Sequence, residues 1–507
     1  MNNNSNRQPL PAKKDGIRRA LAARWTLPAI AGLLLLCLIA SLPGAHLHID
    51  EAWIGEQAYF LSRDGYVHST LFEGFAGNEI RTVVYHRLFV LLGSWSVSIF
   101  GWSIGALRVV PLASGGALLA LMAHHMRREL GVPWRTVAMA VAIFLLIPLN
   151  FTYIKVFRPE MLMALCGFAS YRALGRFMQG GRWWELPVAA AAGGMAALAH
   201  PYGAIFPLCG ILMLLGGRRW SGAALFAAVA SLPAIPYLVD IATHYELFRQ
   251  QISNPLVAEK TSFTILSPLT NLLDEHKRLF RKPEIILPTL LFLLSLVAGA
   301  GRDGWRRFHL IYSVLLIVLL GAAAQDKVVR YAIPLLPFFT IAIALAAGEW
   351  IERPIGNRFW RAGFALAWML FVGVGLHAVT TDLRAEREHV PELNAAIAGS
   401  IPPGTRCLAP MNFIFEQIGR HPIIALRYAN MEQHNRLGVR AMLDFADRHR
   451  ADAIIINRYA TLDEGIIDLD TAGDEMARAF TIAASTPEYR LFLRRHPTGT
   501  PEPAPAR

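Results

Sequence analysis

The sequence has 507 residues, of which 54% are hydrophobic and 17% charged, and a formal net charge of +12. Soluble domains average about 25% charged residues, so this balance excludes a chain whose whole surface meets water and points to one whose solvent is mostly hydrocarbon. Most of the Lys and Arg sit in short gaps between apolar runs, where they orient a chain in a membrane, and this placement argues against nucleic acid as the partner.

Residues 1–25 are polar and basic, with Lys13, Lys14, Arg18, Arg19 and Arg24, and read as a cytoplasmic tail. The apolar run 26–43 is expected to be a retained anchor rather than a cleaved signal. Further apolar windows lie near 105–124, 136–154, 159–178, 184–200, 202–217, 220–238, 284–301, 308–324, 331–349 and 360–379. Together they give about eleven expected spans.

The stretch 84–100 is ambiguous, and charge arbitrates. If it does not span, one side of the membrane collects Arg127, Arg128, Arg135, Arg172, Arg176, Arg182, Arg218, Arg219, Arg302, Arg306, Arg307, Arg353, Arg358 and Arg361. The short gaps on the other side then hold only Lys155 with Arg158, and Lys327 with Arg330. Positive charge accumulates on the cytoplasmic side, so 84–100 is expected to lie on the outer face as a juxtamembrane helix.

Two longer outer loops follow from this arrangement, 44–104 and 239–283. The second carries Phe248, Arg249, Asn254, Lys260, Lys277, Arg278, Arg281 and Lys282 and reads as interfacial amphipathic helix. After Thr380 the chain turns polar. Short apolar runs at Arg406–Ala409, Pro422–Leu426, Ala453–Ile456 and Tyr489–Leu493 alternate with helical pattern such as Leu437–His449, which suggests strands and helices of a small domain. The expected fold is thus an all-α polytopic membrane domain over 26–379 with a small C-terminal α/β soluble domain over 380–496, outside the cytoplasm. The Pro-rich tail 497–507 is expected to be disordered. Cys37, Cys166, Cys209 and Cys407 show no CxxC spacing and read as structural.

Charged groups at membrane depth are costly, so those flanking the spans are the first place to look for chemistry. His48, Asp50 and Glu51 follow the first span. Arg158, Pro159 and Glu160 join the third to the fourth, and Lys327, Arg330 and Tyr331 open the tenth. All fall on the outer side, so acids and bases from distant parts of the chain are expected to form one site. Transfer of a sugar from a lipid-linked phosphate needs that set. A carboxylate takes the acceptor proton, Arg and Lys hold the charge growing on the leaving phosphate, and the lipid tail keeps the site at the bilayer surface. There is no GxGxxG and no P-loop, and the one DxD, Asp468 to Asp470, reads as a loop in the distal domain.

Four segments occur in order: His48-Ile49-Asp50-Glu51-Ala52-Trp53; Phe100-Gly101-Trp102-Ser103 with Leu107-Arg108; Phe157-Arg158-Pro159-Glu160; and Val329-Arg330-Tyr331-Ala332-Ile333-Pro334-Leu335-Leu336-Pro337. Over roughly 25–380 this order resembles the polytopic GT-C glycosyltransferases. Within them it looks like the lipid A aminoarabinose transferases and the dolichyl-phosphate-mannose protein mannosyltransferase group. The resemblance implies a polyprenyl-phosphate sugar donor, a lipid or protein acceptor in the cell envelope, inversion at the anomeric centre, and a place in the cell inner membrane. It implies Asp50 as base, Glu51 as the second acid of that motif, Glu160 as the second-loop acid, and Arg330 and Tyr331 at the donor phosphate; Arg158 and Lys327, cations on the same side, are further candidate phosphate ligands. The family's Lys-Pro-Pro stretch is absent. Thr82-Val83-Val84-Tyr85-His86-Arg87-Leu88 stands there, so Arg81, His86 and Arg87 are candidate substrate ligands in its place.

Bland readings accompany the sharp ones. Asp50, Glu51 and Glu160 also suit helix N-termini, Arg330 and Lys327 suit interfacial anchors, Arg108 suits a structural role, and His200 before Pro201 suits a cap as well as a substrate contact. A divalent metal is left open: some such enzymes bind one and others do not, and no His/Asp/Glu spacing here compels it. The rival functions are a transporter or lipid flippase and a non-catalytic envelope scaffold. A transporter places its site near the midplane, often between inverted repeats. No repeat is visible.

Overall fold

The computed structural model describes residues 13–45, 47–254, 264–299, 304–352, 358–385, 390–434, 437–457, 476 and 479–495. Lys260, Arg302, Arg353, Asp468, Asp470 and the tail 497–507 lie outside the described residues. Helices account for most of the chain. The first apolar run lies in α1 (Lys13–Ala40). The 44–104 loop contains α2 (Ile49–Asp64) and α3 (Arg87–Phe100). Then come α4 (Ile104–Arg128), α5 (Trp134–Leu146), α6 (Pro148–Tyr153), α7 (Glu160–Met178), α8 (Glu185–Ala199), α9 (Ile205–Gly216), α10 (Trp220–Ser231), α11 (Ile235–Thr243) and α12 (Tyr245–Ser253). Longer helices follow at Pro283–Gly299, Gly304–Ala323, Leu336–Glu352 and Arg358–Arg384.

Among the described residues, five helical stretches are long and apolar enough to cross a bilayer: Ile104–Arg128, Trp220–Thr243, Gly304–Ala323, Val329–Trp350 and Arg361–Arg384. Shorter apolar helices carry the other apolar runs, and the chain is a multi-pass membrane protein. Two expected spans are interrupted. The 136–154 run breaks between α5 and α6, because Pro148 has no N–H to continue the ladder. The 202–217 run begins with a 3₁₀ turn at Pro201–Ala204 before α9 starts.

The capping of α2 explains why the first loop is ordered at its start. His48 is the N-cap. Its Nδ1 accepts from the Asp50 amide at 3.1 Å, while its own amide donates to Glu51 Oε2 at 2.9 Å, a closed capping box. The α3 helix has 14 residues, about 21 Å at 1.5 Å per residue, shorter than the roughly 30 Å hydrocarbon core. Its Leu91, Trp95 and Ile99 form an exposed apolar stripe at helical spacing, as an interfacial helix requires.

Among the described residues the C-terminal sheet has five strands: β1 (Cys407–Ala409), β2 (Ile423–Ala425), β3 (Ala453–Asn457), β4 (Phe480–Ser485) and β5 (Tyr489–Arg494), ordered β2-β1-β3-β5-β4. β1 runs parallel to β2 and β3, and β5 antiparallel to β3 and β4. The first three strands are buried throughout, which is why they read as apolar runs. β4 was not expected. It is an edge strand on which Phe480 is buried and most other side chains are exposed, so it leaves no apolar run to find.

This domain docks on the first loop. The Ala425 amide donates to Leu71 O at 2.9 Å, Trp102 stacks on Phe415 with centroids 5.5 Å apart, and Arg406 pairs with Glu73. Buried Glu56 of α2 pins the same loop, accepting from Ser69 Oγ, Thr70 Oγ1 and the Thr70 and Leu71 amides. Lys155 donates to Ser41 Oγ at 2.9 Å and pairs with Asp382 at 2.6 Å. The ends of α1 and of Arg358–Arg384, the 154–159 turn, the first loop and the C-terminal domain therefore share one end of the molecule.

Candidate active site

At that end the N-terminus of α2 meets the start of α7. Pro159 fixes a helical entry for α7, so Arg158 and Glu160 are held on either side of it. Arg158 is 4% exposed. Its Nη2 and Nε donate to Glu160 Oε1 at 2.8 and 3.1 Å, and its Nη1 contacts Asp50 Oδ2. Glu160 is fully buried and has the Arg330 Nε 4.0 Å from Oε1. Asp50, Arg158, Glu160 and Arg330 thus form a continuous row of alternating charge. Asp50 is the open member, its side chain 25% exposed, and its contacts to Arg158 and His48 both fall on Oδ2. Burial and the nearby Arg158 lower His48 from 6.5 to about 4, so it stays neutral beside Asp50.

Beyond Arg330 lies a cavity of about 440 Å³. Arg281, Lys282, Lys327 and Arg330 line it with one acid, Glu284, and its other wall is Pro148–Tyr153 of α6 with Val328 and Val329. Tyr153 lines this cavity beside Arg330, and the Arg330 guanidinium lies 5.3 Å from the Tyr331 ring centroid. An anion entering this cavity meets an excess of positive charge.

The remaining sequence candidates divide. Glu51 does not face the site. It is fully buried, accepting from Arg108 Nε (2.9 Å) and the Phe157 amide (2.7 Å) on Oε1, and from Arg108 Nη2 (2.7 Å) and the His48 amide on Oε2 (2.9 Å). Four donors occupy its oxygens, so it ties α2 to α4 and to the 157 turn. Lys327 lines the cavity, but its ammonium is spent on Glu275 (3.0 Å) and Gly321 O (2.9 Å). Arg81 and Arg87 both pair with Asp240 of α11, and Gln251 of α12 accepts from the Val83 and Val84 amides. They join the two long outer loops rather than meeting the row.

His86 stacks on His200 with centroids 4.9 Å apart, and burial lowers His86 to about 4. His200 Nδ1 caps the Pro201–Ala204 turn through the Tyr202 amide at 3.1 Å. Tyr331 packs against His200 and Tyr202 at 5.5 and 4.8 Å. This aromatic wall backs Arg330. Tyr153, Arg281 and Lys282 were not singled out as site residues. Tyr153 is lost within an apolar run, and the two cations look like any other charges of a polar loop.

Among the described residues no group of three His, Cys, Asp or Glu side chains is placed to hold a metal ion. Asp50 and Glu160 both turn to Arg158, whose guanidinium fills the position between them that a cation would take. Among the described residues, those at this position do not form a metal site.

No known protein family matches the sequence, and no curated protein matches it. Solved structures do. The chain shares its overall fold with solved structures of ArnT and of an oligosaccharyltransferase. ArnT from Cupriavidus metallidurans in the apo state superposes with a TM-score of 0.61 at 14% identity, over 93% of this chain and 98% of that one. The same protein bound to undecaprenyl phosphate gives 0.59 at 14%, over 92% and 97%. The Archaeoglobus fulgidus oligosaccharyltransferase tethered with an acceptor peptide gives 0.54 at 11%, over 86% and 70%.

Proposed function

We propose that this chain is a membrane glycosyltransferase that moves a sugar from a polyprenyl-phosphate donor to a hydroxyl or phosphate on a cell-envelope lipid or protein. The observation that carries the reading is the row Asp50–Arg158–Glu160–Arg330, which leads from an accessible carboxylate into a cavity rich in cations. The fold adds support, since the ArnT structure that shares it binds undecaprenyl phosphate. The charges gather at one end of the molecule, which favours transfer at a bilayer surface over carriage through the midplane.

In this reading the donor phosphate enters the cavity and is held by Arg330, Arg281 and Lys282, with its lipid tail left in the bilayer. The acceptor oxygen lies at Asp50, which takes its proton as the oxygen attacks the anomeric carbon. The bond from that carbon to the phosphate oxygen breaks on the opposite face, so the centre inverts and polyprenyl phosphate leaves. Cations preorganised around the departing phosphate stabilise its growing charge. Arg158 and Glu160 keep Asp50 and Arg330 in register, and Glu51 holds the end of α2 against its neighbours. In the same reading this end faces away from the cytoplasm, in a cell inner membrane with an extracytoplasmic C-terminal domain, and the positive-inside pattern supports that orientation.

The test is purified protein in lipid, supplied with a panel of polyprenyl-phosphate sugars and a membrane extract as acceptor. Release of polyprenyl phosphate with a labelled sugar appearing on the acceptor supports the reading. Sugar lipids that stay intact across the whole panel contradict it.

A further inference from the structure

The geometry points to a second site, a saccharide-binding cleft between the first loop and the C-terminal domain. This deepens the glycosyltransferase reading and rests on it: the acceptor would carry a glycan. A cavity of about 530 Å³ opens at this junction, within the size range of small-molecule sites. Its walls include Phe75 of the first loop, Asn254 after α12, and Tyr428, Glu432, Gln433 and Arg448 of the C-terminal domain.

The lining selects the ligand class by elimination. Apart from His434, the charged groups of the lining are Glu432 and Arg448, which pair at 2.7 Å and cancel, so a phosphate finds little net attraction. Among the described residues no Leu, Ile, Val or Met lines the cleft, so an acyl chain or an apolar helix finds no matching surface. What remains is aromatic surface beside planar polar groups. Half-buried Phe75 supplies the accessible ring, braced edge to face at 5.3 Å by the buried Tyr428. The C–H face of a pyranose packs on such rings, since their electron-rich faces attract its weakly positive hydrogens. Vicinal hydroxyls are matched by side-chain amides and by the fork of a carboxylate with a guanidinium. A neutral, polyhydroxylated ring system satisfies all of these groups at once.

The cleft is also connected to the transfer site. Trp53 lies three residues after Asp50 on α2, on the same face, and is 39% exposed. Its ring is 5.6 Å from Phe72, which is 6.0 Å from both Phe75 and Tyr428. An aromatic row therefore runs from the proposed base to the cleft. The loop is held close there: Gly74 has φ 85°, and a Cβ on it would come within 3.2 Å of His449 Cε1. Phe72 and Tyr428 are buried, so the row couples the cleft to α2 by packing, with Trp53 and Phe75 accessible at its ends.

The test uses full-length protein in nanodiscs and saturation-transfer NMR with short neutral gluco-, manno- and N-acetylglucosamine oligosaccharides. Inorganic phosphate and a short apolar peptide serve as comparison probes. At least one oligosaccharide binds. Phe75→Ala weakens that binding by about tenfold, the scale of one well-packed ring. The exposed Gln433→Ala, which does not burden the fold, weakens it measurably. Asp50→Asn binds the oligosaccharide like the wild type while losing transfer. No binding across the panel, or binding untouched by both cleft variants, overturns the cleft. Transfer that survives Asp50→Asn overturns the assignment of Asp50 instead, so the two failures are told apart.

Discussion

Glu160 and Arg330 approach to 4.0 Å although they come from separate helices far apart in the chain, and Glu160 has no exposure to solvent. A buried carboxylate flanked by Arg158 and Arg330 stays ionised because its partners compensate its desolvation. The pairing fixes the Arg330 guanidinium at the mouth of the basic cavity. The Arg330 Nε is buried and lies on the Glu160 side.

Arg330→Gln should therefore raise the KM for a polyprenyl-phosphate donor. A hydrogen bond to a charged group is worth about 1.5–3 kcal/mol, or roughly 10- to 100-fold in affinity. The paired change Arg281→Gln with Lys282→Gln should weaken donor binding less and lessen its salt dependence, since both side chains are exposed. Donor titrations at two ionic strengths measure both effects. An unchanged donor KM in Arg330→Gln would remove it from the phosphate site.

Glu51 and Asp50 are neighbours with opposite expected phenotypes. Glu51→Gln leaves Arg108 buried without its counter-charge, and breaking a buried pair costs about 3–5 kcal/mol. Its Tm in detergent should fall steeply. Asp50→Asn, at a partly exposed position, should unfold near the wild-type temperature. Equal thermal stability of the two variants would contradict the division of roles.

Much of the site was legible because charge stands out against hydrocarbon. Asp50, Arg158, Glu160 and Arg330 each sit at the end of an apolar run, where a charge is either an anchor or part of a site. The strands β1, β2, β3 and β5 were legible because they are apolar runs bounded by polar chain. Pairing was not legible. Nothing local to Arg81 or Arg87 announces that Asp240 takes both, nothing in Glu51 distinguishes it from Asp50, and Glu56 gives no sign that it anchors the first loop. Those outcomes depend on which helices pack together, and one sequence does not carry that information.

His48 and His86 make folding acid-sensitive. Each ionises near 6.5 when unfolded and near 4 when folded, burial being the main cause. The unfolded chain then binds more protons between those values, so stability is fully present above about pH 6.5 and is lost as pH falls toward 4. Protonation of His48 Nδ1 also ends its acceptance of the Asp50 amide. His48→Asn keeps a good N-cap without titrating, and its Tm should decline less between pH 7 and pH 4.5 than the wild type's. Parallel Tm curves for the two proteins would show that His48 does not contribute.

The most direct measurement is single-turnover sugar transfer by the wild type and Asp50→Asn, each preloaded with donor in lipid. Removal of a general base costs about 10²- to 10⁴-fold in rate. The expected result is donor binding within about twofold of the wild type, scarcely 0.4 kcal/mol, with transfer slowed by at least 10²-fold. Transfer at the wild-type rate would show that Asp50 does not take the acceptor proton.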